Sequence, residues 1–219
     1  MSNVNGSLYG LTILSPILND ERATPSHDLQ IRAYLAKLPT GADSPFALTA
    51  GTHLCRLVVM DDVVYVGMPA CEEHLQSKYL IFECNLDAAD DAGLERYLRG
   101  LAETIPTHLD AIWSHCVGYP GAKDATAFVR YMKACQIETT FFFAAVNDKS
   151  LPEALKALET QRAVTDFIAS HPIMAGGGME PARLQAEFVA FAAALNAQPA
   201  PKPGVPAVRR DIKTGGHNE

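Results

Sequence analysis

The chain has 219 residues, 48% of them hydrophobic and 20% charged, which fits one globular domain or a domain with an appendage and excludes a fibrous or largely disordered protein. Its 25 acidic and 18 basic residues give a formal charge of −7. This charge argues against a nucleic-acid backbone or an anionic membrane surface as the main partner, because both need a basic patch. We therefore expect neither nucleic acid nor membrane as a partner.

The cysteines, the apolar runs and the first residues indicate a compartment. Five cysteines with no C-x-x-C pair point away from a disulfide framework and predict reduced thiols. The longest aliphatic or aromatic runs, 141–146 and 188–195, are far shorter than the roughly 18–20 residues that span a bilayer. The first residues show no positive n-region and no clear cleavage site for a secretory signal. The expected location is the cytoplasm.

The first half of the chain predicts the order strand, helix, strand, strand, helix. Residues 8–14 are β-prone and stop at a Ser-Pro pair, and Thr24-Pro25 offers an N-cap and a first helical proline. Segments 52–60 and 79–85 predict the next two strands, because they are rich in β-branched and aromatic side chains. Asp90-Asp91 can cap a helix with apolar residues at helical spacing.

The next segments complete a recognisable order of elements. Residues 108–116 predict a helical or mixed segment, Asp124 caps a further helix, and 138–146 (ETTFFFAAV) predicts a strong strand. The resulting order, β-α-β-β-α-(α)-β, is that of the ferredoxin-like α+β sandwich. We therefore predict a ferredoxin-like antiparallel sheet with helices on one face.

Extra helices and a tail follow this unit. A capping box at Ser150 to Glu153 starts a helix that runs to about Ser170. A triple glycine at 176–178 breaks the chain, and Pro181 opens a last helix. The predicted organisation is a ferredoxin-like domain (1–172), a glycine-hinged helical appendage (173–196) and a disordered Pro-rich tail (197–219).

Alternation along the second and third strands predicts which face of the sheet packs against the helices. Arginine is poorly suited to lie against helices without a partner, so we place Arg56 on the opposite, open face. The predicted inner face carries His53, Cys55, Leu57, Val59, Leu80, Phe82 and Cys84. The predicted open face carries Leu54, Arg56, Val58, Met60, Tyr79, Ile81, Glu83 and Asn85.

The predicted open face is too apolar to face solvent, so something must cover it. The C-terminal helices, a second copy stacked sheet to sheet, or a small apolar or aromatic molecule would each do so, and these alternatives are compatible. In the last case the convergent polar groups of the pocket would be Arg56, Tyr79, Glu83 and Asn85. The simpler alternative for Arg56 and Glu83 is a cross-strand ion pair.

His115 is the second candidate for chemistry, since it lies beside Trp113 and a Gly-Tyr-Pro-Gly turn. It is suited to be an axial haem ligand, a general base, or a core residue bonded to a backbone carbonyl. A zinc site with His108 is not supported, because seven helical residues span about 10.5 Å. The sequence contains no G-x-G-x-x-G, P-loop or G-x-S-x-G motif, so nucleotide and serine-hydrolase chemistry have no support.

Three segments together carry a family resemblance: THLCRLVVMDD (52–62), YLIFECNLD with the following YLRGLA helix (79–102), and DAIWSHCVGYPG (110–121). The chain resembles bacterial ferredoxin-like proteins grouped with haem peroxidases, and so the broader group of dye-decolorising peroxidases, chlorite dismutases and small dimeric monooxygenases. Those enzymes hold haem or an aromatic substrate on the open sheet face or an adjoining helix. The resemblance implies Arg56 as a distal-type arginine and His115 as the axial ligand of a haem.

Two functional hypotheses follow. The first is a cytosolic protein, peroxidase-like or monooxygenase-like, that binds a small apolar or aromatic molecule on the open face for redox chemistry. In it Arg56 stabilises developing negative charge, His115 ligates iron or moves a proton, and Tyr79, Glu83 and Asn85 position the ligand. The second is a non-catalytic homodimeric binding or assembly protein whose open sheet face is buried between two copies.

Overall fold

A computed structural model describes residues 3–63, 67–68, 74–171 and 180–205 of the chain. Its strands are β1 (Val4–Asn5), β2 (Leu8–Pro16), β3 (Thr52–Met60), β4 (Tyr79–Asp87) and β5 (Gln136–Ile137). Its helices are α1 (His27–Leu35), α2 (Asp91–Thr104), α3 (Pro106–Trp113), α4 (Ala125–Ala134), α5 (Leu151–Ser170) and α6 (Pro181–Ala197), with a short 3₁₀ helix at Pro45–Leu48.

The strands form one antiparallel sheet in the order β1-β2-β4-β3, with β5 also paired to β2. Leaving β1 aside, the strands lie side by side in the order β5-β2-β4-β3, with the two-residue β5 in the position of the fourth strand of a ferredoxin-like unit. Each neighbouring pair is antiparallel because every helical crossover skips one strand. The structure thus confirms the ferredoxin-like α+β class with additional C-terminal helices.

The core lies between one face of this sheet and the helices that connect its strands. Phe82 of β4 is fully buried at its centre, where it stacks on Phe46 at 5.9 Å and meets the edge of Trp113 at 5.5 Å. The indole nitrogen of Trp113 donates a hydrogen bond to the buried hydroxyl of Ser15 at 3.3 Å. The predicted inner face is confirmed on β4, where Leu80, Phe82 and Cys84 are buried, whereas on β3 Val59 is buried and the other predicted positions are half-buried.

Side-chain caps fix where several helices begin. The Asp90 carboxylate accepts a bond from the backbone N–H of Gly93 at 2.7 Å, and Asp124 accepts bonds from two backbone N–H groups of α4. The predicted capping box between Ser150 and Glu153 starts α5. These caps satisfy backbone donors that have no partner within a helix. The predicted helix near Thr24 begins slightly later, at His27.

The predicted strand at 138–146 is wrong. Strand β5 contains only Gln136–Ile137, because β1 occupies the same edge of β2 further along: Val4 pairs with Tyr9 where residue 140 would otherwise pair. The chain leaves the edge at Thr139, whose N–H donates to the Asn3 side chain at 2.6 Å. The aromatic run that follows lies largely in solvent.

The C-terminal helices α5 and α6 form a hairpin held by a few contacts. The ring of Phe167 stacks on Phe191 at 4.8 Å, and the Lys156 ammonium donates to the carbonyl of Leu195 at 2.8 Å. Within the described residues of the two helices, Leu195 is the only buried side chain. No helix in the described ranges is long and apolar enough to cross a membrane.

The predicted hinge and part of the predicted tail lie outside the described residues. The triple glycine at 176–178 and residues 206–219 belong to the parts of the chain left undescribed. The chain is described again from 180 to 205, where Gly204 contacts the backbone of Gly41. The first residues of the predicted tail therefore lie against the loop that precedes β3.

Candidate functional site

The sheet face turned away from the helices is built from four cross-strand rows. In the order β2, β4, β3 the rows are Gly10–Asn85–Leu54, Thr12–Glu83–Arg56, Leu14–Ile81–Val58 and Pro16–Tyr79–Met60. The register brings together the four polar residues that the sequence placed on this face, Arg56, Tyr79, Glu83 and Asn85. Their role in binding a ligand stays a prediction.

Arg56 and Glu83 form an ion pair across β3 and β4. The Arg56 side chain is 69% exposed, and the adjacent Glu83 carboxylate raises the pKa of its guanidinium. Arg56 and Glu83 are the only two charged residues in these four rows, and beyond them on the same face Asp87, opposite Leu8, pairs with His53. The simpler alternative, a cross-strand ion pair, is the arrangement observed.

Exposed apolar side chains surround this pair. Leu54 is 62% exposed, Val58 is 45% exposed, and Ile137 of β5, opposite Thr12, is also 45% exposed. Phe142 covers one corner, since its ring lies about 3.0 Å from where a side chain at Gly10 would begin. In the described chain this face therefore presents apolar surface to solvent, which is unusual for a monomer.

The C-terminal hairpin reaches this face only at its start, where the backbone N–H of Leu151 donates to the Asp87 carboxylate at 3.0 Å. No side chain of α5 is buried, and both Leu54 and Val58 remain exposed. One of the three covers considered for the face, the chain's own C-terminal helices, is therefore not seen among the described residues. A second copy and a small molecule remain.

His115 lies on the other side of the sheet. It follows α3, whose Trp113 packs on the inner face against Phe82, and its carbonyl accepts a bond from the N–H of Leu18 at 2.9 Å. Its Nδ1 lies 2.9 Å from Nδ1 of His27. Burial, together with the neighbouring His27, lowers the pKa of His115.

Arg56 and His115 therefore do not share a site. A haem with His115 as its axial ligand and Arg56 on its distal side needs both side chains in one cavity, and the sheet separates them. No group of three or more His, Cys, Asp or Glu side chains suited to a metal occurs in the described part of the chain. The residues present do not fit a haem held in this way.

A groove runs along the outer edge of β3, and the sequence interpretation missed it. Its volume is about 420 Å³, within the range of small-molecule pockets. Residues 52–57 of β3 form one wall, and Leu35, Leu38 and Phe46 contribute to the other. The predicted topology could have indicated this groove, because the second strand of a ferredoxin-like unit lies at the edge of the sheet.

Two cysteines lie opposite each other where β3 passes β4. Cys55 pairs with Cys84 in the register, and the Cys84 sulfur lies 3.2 Å from the hydroxyl of Tyr97. Burial raises the pKa of Cys55 to about 11 and that of Cys84 to about 12. Both thiols are therefore protonated at neutral pH, Cys84 buried in the core and Cys55 half-buried beside the groove.

Comparison of the chain with protein-family models, with curated proteins and with solved structures gives no match in any of the three. The resemblance to the haem-peroxidase group stays a prediction. The open face and the groove are therefore the candidate functional surfaces of the described chain.

Proposed function

We propose that the protein is a non-catalytic homodimeric binding or assembly protein, in which the open sheet face of one copy packs against that of a second. The observation that carries this proposal is the composition and exposure of the face. Its row positions are mostly apolar, two aliphatic side chains of β3, Leu54 and Val58, are about half exposed, and the two charges within its rows cancel. Leaving such an apolar face exposed to water costs free energy, so covering it is favourable.

The charge arrangement favours a second copy as the cover. An interface about a two-fold axis joins the same patch on both subunits, so the patch must complement itself. If the two-fold axis passes beside the row Thr12–Glu83–Arg56, the Arg56 side chain of each copy lies near Glu83 of the second copy. A partner with one dominant charge gains nothing from this neutral pair.

The available area is adequate for a stable interface. Three strands of nine residues, about 4.8 Å apart and rising about 3.3 Å per residue, present roughly 430 Å². A standard interface buries about 800 Å² per partner. Phe141 and Phe143, the sequence neighbours of the ring that covers Gly10, are 82% and 71% exposed, and the proposed interface would reach this size if their roughly 300 Å² joined it.

The catalytic hypothesis receives less support from the geometry. Its two candidate catalytic residues lie on opposite sides of the sheet, so neither can act on a molecule held by the other. A small apolar or aromatic molecule on the open face would lack a roof in a single copy. In the proposed dimer the second sheet supplies that roof, so a bound molecule is compatible with the dimer and separable from it by mass.

Sedimentation velocity across a concentration series tests the proposal. We expect the wild type to sediment as a dimer and Arg56→Glu to shift toward monomer, because it places four acidic groups at the axis. The double variant Arg56→Glu/Glu83→Arg restores the pairing and should restore the dimer. Arg130→Glu on the exposed surface of α4 is the control, since it changes the net charge equally.

Two results would overturn the proposal: a wild type that stays monomeric at every concentration, and a charge swap that fails to rescue a folded Arg56→Glu variant. Native mass spectrometry of the dimer adds a further distinction. A native dimer mass greater than twice 23.6 kDa, with a mass of 23.6 kDa for each denatured chain, would identify a molecule trapped between the two copies.

A further inference from the structure

We infer that the C-terminal segment after Gly204 is a tethered occupant of the groove along the outer edge of β3. The groove would then be a docking site for an extended chain segment, filled in the isolated protein by its own tail. This inference does not depend on the proposed dimer, because it concerns the backbone edge of β3 rather than the side chains of the open face.

Among the described residues, nothing pairs with the backbone groups on the outer edge of β3 next to Cys55 and Leu57. In an antiparallel pair, successive residues direct their N–H and C=O groups alternately toward the partner strand and away from it. The carbonyl of Val59 faces outward, since it accepts a bond from the Arg32 guanidinium at 3.1 Å. The backbone groups of Leu57 and Cys55 therefore face the same edge, where the described residues provide no backbone partner.

An unpaired edge beside an apolar wall is suited to an added strand. Main-chain hydrogen bonds to Cys55 and Leu57 would provide affinity, and the apolar side chains of Leu35, Leu38 and Phe46 line the wall beside them. A small compact molecule could pack against the apolar wall but could not pair with a row of backbone donors and acceptors. The chemistry of the groove therefore favours an extended polypeptide.

The tail is already seated at one end of this groove. Pro203 and Gly204 line it together with β3. Gly204 has φ +72°, and a side chain there would begin 2.8 Å from the carbonyl carbon of Gly41. Only glycine allows this backbone approach, so the sequence at 204 is suited to docking against the loop before β3. This contact favours the chain's own tail over a peptide from elsewhere.

The remaining tail has sufficient length and suitable composition. Fourteen residues, 206–219, follow the described chain and can span about 46 Å when extended, against about 30 Å for the whole of β3. In an extended chain Val208 and Ile212 would share one side with Arg210, and the other side would carry the charged Arg209, Asp211 and Lys213. The segment has three basic and two acidic side chains, so its net charge is opposite to that of the rest of the chain.

The test compares the full chain with a protein truncated after Val205. The first readout is the alkylation rate of Cys55, which lines the groove, relative to Cys135, which does not. The second is amide hydrogen exchange at Cys55 and Leu57. We expect truncation to raise both rates about tenfold. A synthetic peptide of residues 205–219 should restore protection to the truncated protein and should not bind the full chain.

A point variant addresses the seating contact without shortening the chain. Gly204→Ala should raise the same rates, because its side chain collides with the loop at Gly41. Gly118→Ala is the matched control: Gly118 has φ +74° but no atom within 4 Å of an added side chain, so it reproduces the backbone strain alone.

Two outcomes overturn the inference. Rates that truncation leaves unchanged, with no binding of the peptide, show that the tail does not occupy the groove. Protection that rises with protein concentration in the full and truncated chains alike assigns the edge to a second copy. Neither outcome affects the charge-swap test of the dimer, so failure of one proposal is distinguishable from failure of the other.

Discussion

Removing the exposed aliphatic side chains that β3 contributes to the open face tests the proposed dimer quantitatively. Full burial of a leucine or valine side chain contributes about 1.5–3 kcal/mol. Leu54 is 62% exposed and Val58 is 45% exposed, so covering the exposed parts adds roughly 1–2 and 0.7–1.4 kcal/mol. Each contribution occurs twice in a symmetric dimer.

The double variant Leu54→Ala/Val58→Ala keeps the first carbon of each side chain and so loses only part of this energy. We expect the dimer to weaken by about 3 kcal/mol, which is about a hundredfold in Kd. Dimer Kd is measured by sedimentation velocity on dilution series. The folded monomer should change little, because both side chains are exposed in a single copy.

A pair of equally exposed residues elsewhere provides the control. Leu48 is 65% exposed in the 3₁₀ helix, and Val117 is 48% exposed in the turn after α3. Leu48→Ala/Val117→Ala removes the same groups from outside the face and should leave Kd unchanged. If the two double variants have the same Kd, the apolar face does not form the interface and the reasoning is refuted.

Three further predictions concern the fold itself. Phe82→Ala, which empties the centre of the core, should lower the free energy of unfolding by about 3–5 kcal/mol in a thermal or denaturant melt. Asp90→Ala removes the cap of α2 and should cost about 1 kcal/mol in the same melt, whereas Asp90→Asn should recover most of it; equal losses would contradict the capping role. The pKa of His115 is lowered in the folded protein. As pH decreases below 6.5, the unfolded chain therefore protonates this histidine before the folded protein does, and the free energy of unfolding should fall until pH passes the lowered value. In His115→Asn this part of the pH dependence, measured by urea unfolding at each pH, should disappear.

The sequence predicts the sheet well wherever one face is buried. In β4, alternation alone separates Phe82 and Cys84, which are buried, from Glu83 and Asn85, which are not. Slipping this strand by one residue would put Glu83 into the core, so the pattern determines the register. Likewise Asp90 predicts the start of α2 because its carboxylate satisfies a local backbone donor.

The failures occur where a distant segment decides the outcome. The run at 138–146 has strong β propensity, but Val4 and Asn5 already occupy the edge of β2 that it would need. A two-residue strand leaves no periodicity in the sequence. The separation of His115 from Arg56 has a similar origin, since strand alternation places Arg56 but cannot indicate on which side of the sheet a residue after a helix lies.

Strand β3 connects the two proposals, because successive residues along it serve different surfaces. The side chains of Leu54, Arg56 and Val58 belong to the open face, whereas the backbone groups of Cys55 and Leu57 belong to the outer edge. A strand with one uncovered face and one unpaired edge is a liability for aggregation unless both are occupied. A second copy on the face and the tail on the edge together remove that liability. If both tests succeed, a chain truncated after Val205 that also carries Leu54→Ala/Val58→Ala should remain folded, should not dimerise, and should leave the edge of β3 unprotected. This result would link the two surfaces to one strand.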